Sequence, residues 1–374
     1  MDPRPWQTLA TRGATRSAAF AAHGRQYLVI ANSRNTTSYH VPSEVWRWQA
    51  GARQFERVQQ LATVGAADVA AFAMGDGHTY VAVANQHDTG GVAQMSVIYR
   101  VNATSGLLDE WQVLPTSAAT GWEPFTIDGT AYLALASLHS GASHVAESAI
   151  LRYDADVDEF VPFQTVPTQG AEDWAAFTVD GTPYLAVANQ FDDTTSYVPS
   201  QVWRWDSEAG QFALLQNLTT VGAVQVAAFA AHGHQFLAVA NHFDRARDRF
   251  MINSTVFIFD AAAGRFEPHQ HVPTLGAHGV TAFSLFGDDH FLVFANTNSG
   301  SPTSPPSHVY RLDAATLRFT LIEQLPTVGA YDATLVVVDD TPLLAVTSHT
   351  DLGAPSDLQY HTTSQLFRLN AFCA

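Results

Sequence analysis

Residues 170–189 read Gly170-Ala171-Glu172-Asp173-Trp174-Ala175-Ala176-Phe177-Thr178-Val179-Asp180-Gly181-Thr182-Pro183-Tyr184-Leu185-Ala186-Val187-Ala188-Asn189. Two short apolar runs flank Asp180-Gly181, a pair suited to a two-residue hairpin turn because both central positions of that turn need positive φ. Beyond Asn189 a polar loop leads to a third run, Gln201-Val202-Trp203-Arg204-Trp205, and a turn containing Gly210 leads to a fourth, Phe212 to Leu218. The unit is therefore a four-stranded antiparallel meander. Its second strand, Tyr184 to Ala188, is apolar on both faces, as a sheet sandwiched between two others requires. The alanines suit the narrow end of a wedge. Ala-rich pieces such as Val69-Ala70-Ala71-Phe72-Ala73 are too short for a stable helix.

The same phrase recurs along the chain. Copies begin at Gly13, Gly65, Gly170, Gly222, Gly276 and Gly329, with a degenerate one at Ala118-Ala119, and the steps between them are 52 to 54 residues. So regular a period marks a repeat fold. Seven units give an all-β, seven-bladed β-propeller with four-stranded antiparallel blades, a single domain over residues 1–374. The ends supply closure. Trp6-Gln7-Thr8-Leu9-Ala10-Thr11 matches the fourth strand Phe163-Gln164-Thr165-Val166-Pro167-Thr168, and Gln365 to Leu369 matches a third strand. The last blade is thus expected to borrow its outer strand from the N-terminus, which leaves no blade incomplete.

Composition narrows the partners. The hydrophobic fraction of 47% provides a core. All 18 basic residues are arginine, and against 35 acidic residues they leave a formal net charge of −17. A field of that sign repels phosphate backbones, so no nucleic-acid partner is expected. No apolar run is long enough to span a membrane, so no membrane partner is expected either. The opening Met1-Asp2-Pro3-Arg4-Pro5-Trp6 has no secretory signal pattern, which leaves the cell interior, or secretion with the leader removed. The single Cys373 cannot form an internal disulfide, and a monomer is expected.

Three phrases carry a family resemblance: Gly-Ala-x-Asp-Trp-x-x-Phe at 170–177, Tyr-Leu-Ala-Val-Ala-Asn at 184–189 and Ser-Gln-Val-Trp-Arg-Trp-Asp at 200–206. Repeated in register from Trp6 to Leu369, they resemble the epilepsy-associated repeat, also called the EAR or EPTP repeat, of the leucine-rich glioma-inactivated proteins. The resemblance implies a seven-bladed propeller serving as a protein-binding module, with a calcium ion near the central channel in some members. The paired glycines of kelch repeats are absent, and the WD40 period is shorter.

Position within the repeat separates architecture from function. Asn32, Asn85, Asn189, Asn241 and Asn296 each end a second strand and are read as structural, bonding their own turns. The position three after the marker glycine varies: Arg16, Asp68, Gly121, Asp173, Gln225, Gly279 and Asp332. These side chains start the innermost strands and are expected to converge on the channel. Asp68, Asp173 and Asp332 there form a candidate hard-cation site, calcium favoured over transition metals, unless each Asp only caps its local turn.

Histidines divide by face. His23, His78, His232, His234 and His290 fall in the short hairpins of one face, here called the bottom. His87, His139, His144, His242, His308, His349 and His361 fall in the long loops of the other face, the top, with His278 in a loop before a first strand. No HExxH or CxxC spacing exists, so a metal set must be assembled from separate blades. His87, His242, His278 and His349 are the candidate catalytic residues, and Arg16, Trp122, Trp174, Arg245 and Tyr331 the candidate ligand contacts. Arg245, Arg247 and Arg249 are read as largely neutralised by Asp244 and Asp248.

Two functions follow from this reading. One is a binding module that holds a protein, glycan or small polar ligand on its top face and central mouth. The alternative is a metal-assisted lyase, cyclase or hydrolase that uses His and Asp at the same place.

Overall fold

The computed structural model describes residues 4–285 and 287–369; Cys373 lies outside the described residues. Seven four-stranded antiparallel sheets form a ring of seven blades. The fourth blade shows the pattern: Ala171–Val179 innermost, then Thr182–Asn189, Ser200–Asp206 and Gln211–Leu218 at the outer edge. In the last blade Ala330–Val338, Thr341–Ser348 and Thr363–Arg368 are completed by Gln7–Ala10, with Gln7 opposite Leu366. The expected closure is the one observed.

Each core lies between two blades. Ala175, Tyr184, Val202 and Leu218 of the fourth blade pack on Val226, Leu237, Phe257 and Phe266 of the fifth. The recurring Phe and Tyr of the repeat face each other across the hairpin. Phe177 and Tyr184 pair in register and stack at 5.4 Å, as Phe20 and Tyr27 do at 4.9 Å. Asp180 and Gly181 take φ of 48° and 78°, the doubly left-handed turn that their sequence foretold.

Polar side chains stitch this core together. The Gln164 amide donates to Phe212 O at 2.8 Å and its carbonyl accepts from Phe212 N at 2.9 Å, crossing to the next blade. The same double bond is made by Gln7, Gln59, Gln112, Gln216 and Gln270. The strand-ending asparagines are structural in a way that differs from the expected local turn. Asn189 accepts from Gln169 N at 3.2 Å and donates to Pro199 O at 2.8 Å, so it ties the incoming connection to the start of the third strand. Buried backbone groups there have no water to turn to, and a side chain with both a donor and an acceptor answers two of them.

The marker glycine has a steric reason. Gly170 sits at φ +59°, where a Cβ would stand 2.4 Å from Phe191 O. The degenerate third copy places Ala118 at φ 43° instead. A side chain in that region costs about 1–2 kcal/mol. Ala118→Gly is therefore expected to raise stability by about 1 kcal/mol, less than the full strain because glycine also frees the unfolded chain. Paired urea denaturations check this; an unchanged or lower midpoint would contradict it.

Candidate functional site at the channel mouth

In every innermost strand the pairing register slips at its start, between Ala171 and Asp173 in the fourth blade and between Ala277 and Gly279 in the sixth. A bulge re-aims the extra residue. Position two after the marker thereby joins the top mouth of the channel: Thr15, Ala67, Thr120, Glu172, His278 and Tyr331 all line one cavity of about 220 Å³. His278 and Tyr331 are the second residues of Ala277–Leu285 and Ala330–Val338, so His278 belongs to a strand and not to the preceding loop where the sequence placed it. His308 likewise lies in the strand Ser307–Asp313 and is buried, rather than in a long loop.

Position three forms the floor. Arg16, 6% exposed, enters the channel with Nη2 3.8 Å from Asp173 Oδ1 and Nη1 3.8 Å from Asp332 Oδ1, and Nη2 also donates to Val224 O at 3.4 Å. Asp68 is the third carboxylate acting on it. The second oxygen of each acid is committed to a neighbouring blade: Asp68 accepts from Trp122 N at 2.7 Å, Asp173 from Val226 N at 3.0 Å and Asp332 from Ser17 N at 3.1 Å. Gly279 lets this ring close, since a Cβ there would stand 2.9 Å from the Cα of Asp332. Calcium seeks about six to eight oxygens. Here each acid has one oxygen left and a guanidinium already among them, so the residues present fit that guanidinium better than a bare divalent ion. Burial works against the charge of Arg16, but Asp173, Asp332 and Asp68 outweigh it and keep it protonated.

Below this floor the channel widens to about 400 Å³, bordered by Glu123, Asp68, Asp173 and Asp332. Trp122 and Trp174 border it too, but at 4% and 2% exposure they sit in the cores between blades two and three and blades three and four.

Above the floor the mouth has an aromatic wall. Rings touch in sequence: His87 and Tyr39 at 4.6 Å, Tyr360 and His349 at 5.4 Å, His349 and Tyr331 at 4.3 Å, Tyr331 and His278 at 3.5 Å, His278 and His242 at 5.2 Å. The gap between Tyr39 and Tyr360 is closed by Arg34, its guanidinium 4.6 Å and 4.5 Å from the two ring centres. The structure thus brings His87, His278, His349 and Tyr331 together around the cavity, with His242 behind His278. Arg245 is elsewhere, on an exposed loop over the ring of Phe191 at 4.6 Å. Its neighbour Arg247 bonds Asp244 at 2.8 Å, as the alternating charges suggested. Sequence reasoning missed Arg34, Tyr39, Tyr360 and Glu172.

Electrostatics at the mouth are set mainly by burial. Desolvation lowers His242 to about 4 and His349 to about 3, and drives His278 well below its ordinary value, aided by His242 and Arg16. Desolvation, then Arg34, lowers His87. The histidines are therefore neutral at pH 7. Burial raises Glu172 and Glu123 to about 8, Asp173 to about 7 and Asp68 to about 6, against the pull of Arg16 on Glu172 and both aspartates.

These shifts fix a pH dependence. The raised carboxyls bind protons more tightly folded than unfolded, so their contribution is full below about pH 4 and is lost as pH climbs through about 6 to about 8. The lowered histidines run the other way: their contribution is full above about pH 6.5 and is lost as pH falls through about 4 and about 3. Above about pH 6.5 only the carboxyls still act, so Tm is expected to fall from there to about pH 8.5, and Glu123→Gln should flatten the decline. Thermal melts across that range check it; a rising Tm would contradict the assignment.

A ring of seven four-stranded blades, with long loops gathered round a lined central mouth, defines a seven-bladed repeat propeller. The chain belongs to the EPTP-repeat propellers: the EPTP domain matches residues 109–146, 159–206, 211–260 and 265–313. The thrombospondin-type laminin G domain and EAR repeat-containing protein of Mus musculus is 32% identical over 294 residues, covering 78% of this chain and 43% of that protein. Its Homo sapiens counterpart is 31% identical over 309 residues, covering 68% and 45%. This chain thus spans less than half the length of these curated relatives. Among solved structures, the periplasmic gluconolactonase of Pseudomonas aeruginosa superposes with a TM-score of 0.60 at 18% identity, covering 84% of this chain and 86% of that one. A putative 6-phosphogluconolactonase from Bacteroides fragilis superposes at 0.59 with 14% identity, covering 85% of each chain. Likeness at that identity shows the fold alone.

Proposed function

We propose that this chain is a binding module whose channel mouth receives one carboxylate-bearing side chain or chain terminus of a partner protein. The observation that carries this reading is Arg34. In a chain of net charge −17 its guanidinium stands at the cavity between two tyrosine rings, and no carboxylate of the described residues lies within ion-pair distance of it. Its Nε donates to Asn35 O at 3.3 Å and its Nη1 to Tyr39 Oη at 2.9 Å, which fixes the guanidinium and leaves Nη2 and the second Nη1 proton to meet a carboxylate. A cavity of about 220 Å³ is smaller than the roughly 300–1,000 Å³ that encloses a drug-sized ligand, but it accommodates a single amino-acid side chain. The buried Nδ1 of neutral His278 has no partner among the described residues and offers a polar atom without opposing charge, whereas both ring nitrogens of His349 are already bonded to Ser33 and Thr350. With pKa values of about 4 and about 3, His242 and His349 are weak bases at neutral pH, which favours holding a ligand over moving a proton.

Carboxylate and amide probes of one shape test the idea. N-acetylglutamate and N-acetylglutamine would be titrated separately and followed by saturation-transfer NMR. The acid is expected to bind and the amide to bind at least tenfold more weakly, about 1.4 kcal/mol. Equal binding of the two, or binding of neither, would overturn the proposal.

A further inference from the structure

We propose that His139, His144 and Asp193 form a second site on the top face, for a divalent transition metal such as zinc, at the boundary between the third and fourth blades. His139 and His144 belong to the loop joining Thr130–Ser137 to Val145–Asp154, and Asp193 to the loop joining Thr182–Asn189 to Ser200–Asp206. One ligand atom from each lies within 4.8 Å of the others. None of the three lines the mouth around Arg34, so this inference stands apart from the carboxylate reading.

Three features show a set already drawn together. The two imidazoles meet edge to face with centroids 4.4 Å apart. Asp193 has φ +82°, a backbone region that a residue with a side chain rarely enters, and its carboxylate reaches back across the blade boundary. There it accepts from His144 N at 3.1 Å and from Ser143 Oγ at 2.5 Å, and it contacts His144 Nδ1. The ring of Phe191, 4.0 Å from that of His144, walls one side.

The donor types choose the metal. Two imidazoles and one carboxylate suit a borderline ion such as Zn²⁺ or Co²⁺, whereas calcium wants oxygen alone. In a tetrahedral zinc site, bonds of about 2.0–2.2 Å place donor atoms roughly 3.4 Å apart, so the widest separation must shrink by up to about 1.4 Å, while His144 Nδ1 and Asp193, already in contact, must part slightly if both are ligands. Ring rotations on an exposed loop supply that. Gly141 N now donates to His139 Nδ1 at 2.8 Å, and it would turn to water if that nitrogen became the ligand. Three protein ligands leave a fourth position for water or for a group on a partner.

The test uses Co²⁺ as a visible probe on chelator-stripped protein. One equivalent should develop the absorption of a four-coordinate nitrogen and oxygen site, and Zn²⁺ should displace it. His144→Ala and Asp193→Asn should each abolish the signal while near-UV circular dichroism stays native. If His144→Ala does not fold, His139→Asn gives the same readout. His232→Ala, in a hairpin of the opposite face, should leave the signal intact. Absence of the absorption at one equivalent, or its persistence in both loop variants, would overturn the proposal.

Discussion

Replacing Arg16 with leucine is expected to destabilise the ring by about 3–5 kcal/mol, because removing one member of a buried charge set leaves the others uncompensated. Asp68 and Asp332 are 7% and 4% exposed, and both, with Asp173, face the guanidinium. Without it they keep only neutral hydrogen bonds, from backbone N–H groups and, for Asp332, from Thr334 Oγ1, with no opposite charge among them. Arg16 lowers the proton affinity of these acids, so its loss pushes their pKa values further up. The variant should consequently suffer more at pH 8 than at pH 5, where the acids can protonate. Adding Asp173→Asn and Asp332→Asn to the variant should recover much of the loss, since the three positions interact and their effects are not additive. Calcium should leave the wild-type Tm unchanged, because the cationic place among the acids is already taken. Urea denaturation of the single and triple variants measures the first effect. A loss under about 1 kcal/mol, the range of exposed pairs, would show that the floor is wetter than described.

The second large effect concerns binding. Arg34→Met should leave stability nearly unchanged but weaken N-acetylglutamate binding by about 30-fold or more, equivalent to the roughly 2 kcal/mol at least that a half-buried charge pair loses on truncation. Methionine keeps a long flexible side chain between Tyr39 and Tyr360 while removing charge and donors. Arg34→Lys separates charge from geometry. An ammonium cannot present two parallel donors from a stacked plane, so lysine should restore only part of the affinity. Full recovery with lysine would reduce the role of Arg34 to a point charge.

Seven blades, their strands and the closing N-terminal strand were all legible in the sequence, because a repeat tests each assignment seven times. The converging ring at position three was legible for the same reason: Arg16, Asp68, Asp173 and Asp332 do meet in the channel. Its reading as a cation site treated the acids apart from the arginine that recurrence had placed in the same ring. Glu172 was missed because the bulge that brings position two to the mouth has no residue signature; it shows only in the pairing register. Comparing position two across blades would have found it, since Thr, Ala, Thr, Glu, Val, His and Tyr stand there in turn. Arg34, Tyr39 and Tyr360 come from long loops of the first and last blades, which are adjacent only because the ring closes. No local pattern announces that meeting. Trp122 and Trp174 illustrate the reverse case: large aromatics near the inner rim suggested ligand contacts, whereas the convergence of neighbouring blades buries both indoles in the cores between blades, each Nε1 without a partner among the described residues.

Whether a carboxylate enters the mouth beside Arg34 is best decided by locating it. With N-acetylglutamate bound, intermolecular NOEs from its side-chain methylenes to the ring protons of Tyr39, Tyr360 and His349 are the expected result. NOEs confined to the outer loops around Phe191 and Arg245, or to the lower channel beneath Arg16, would contradict it.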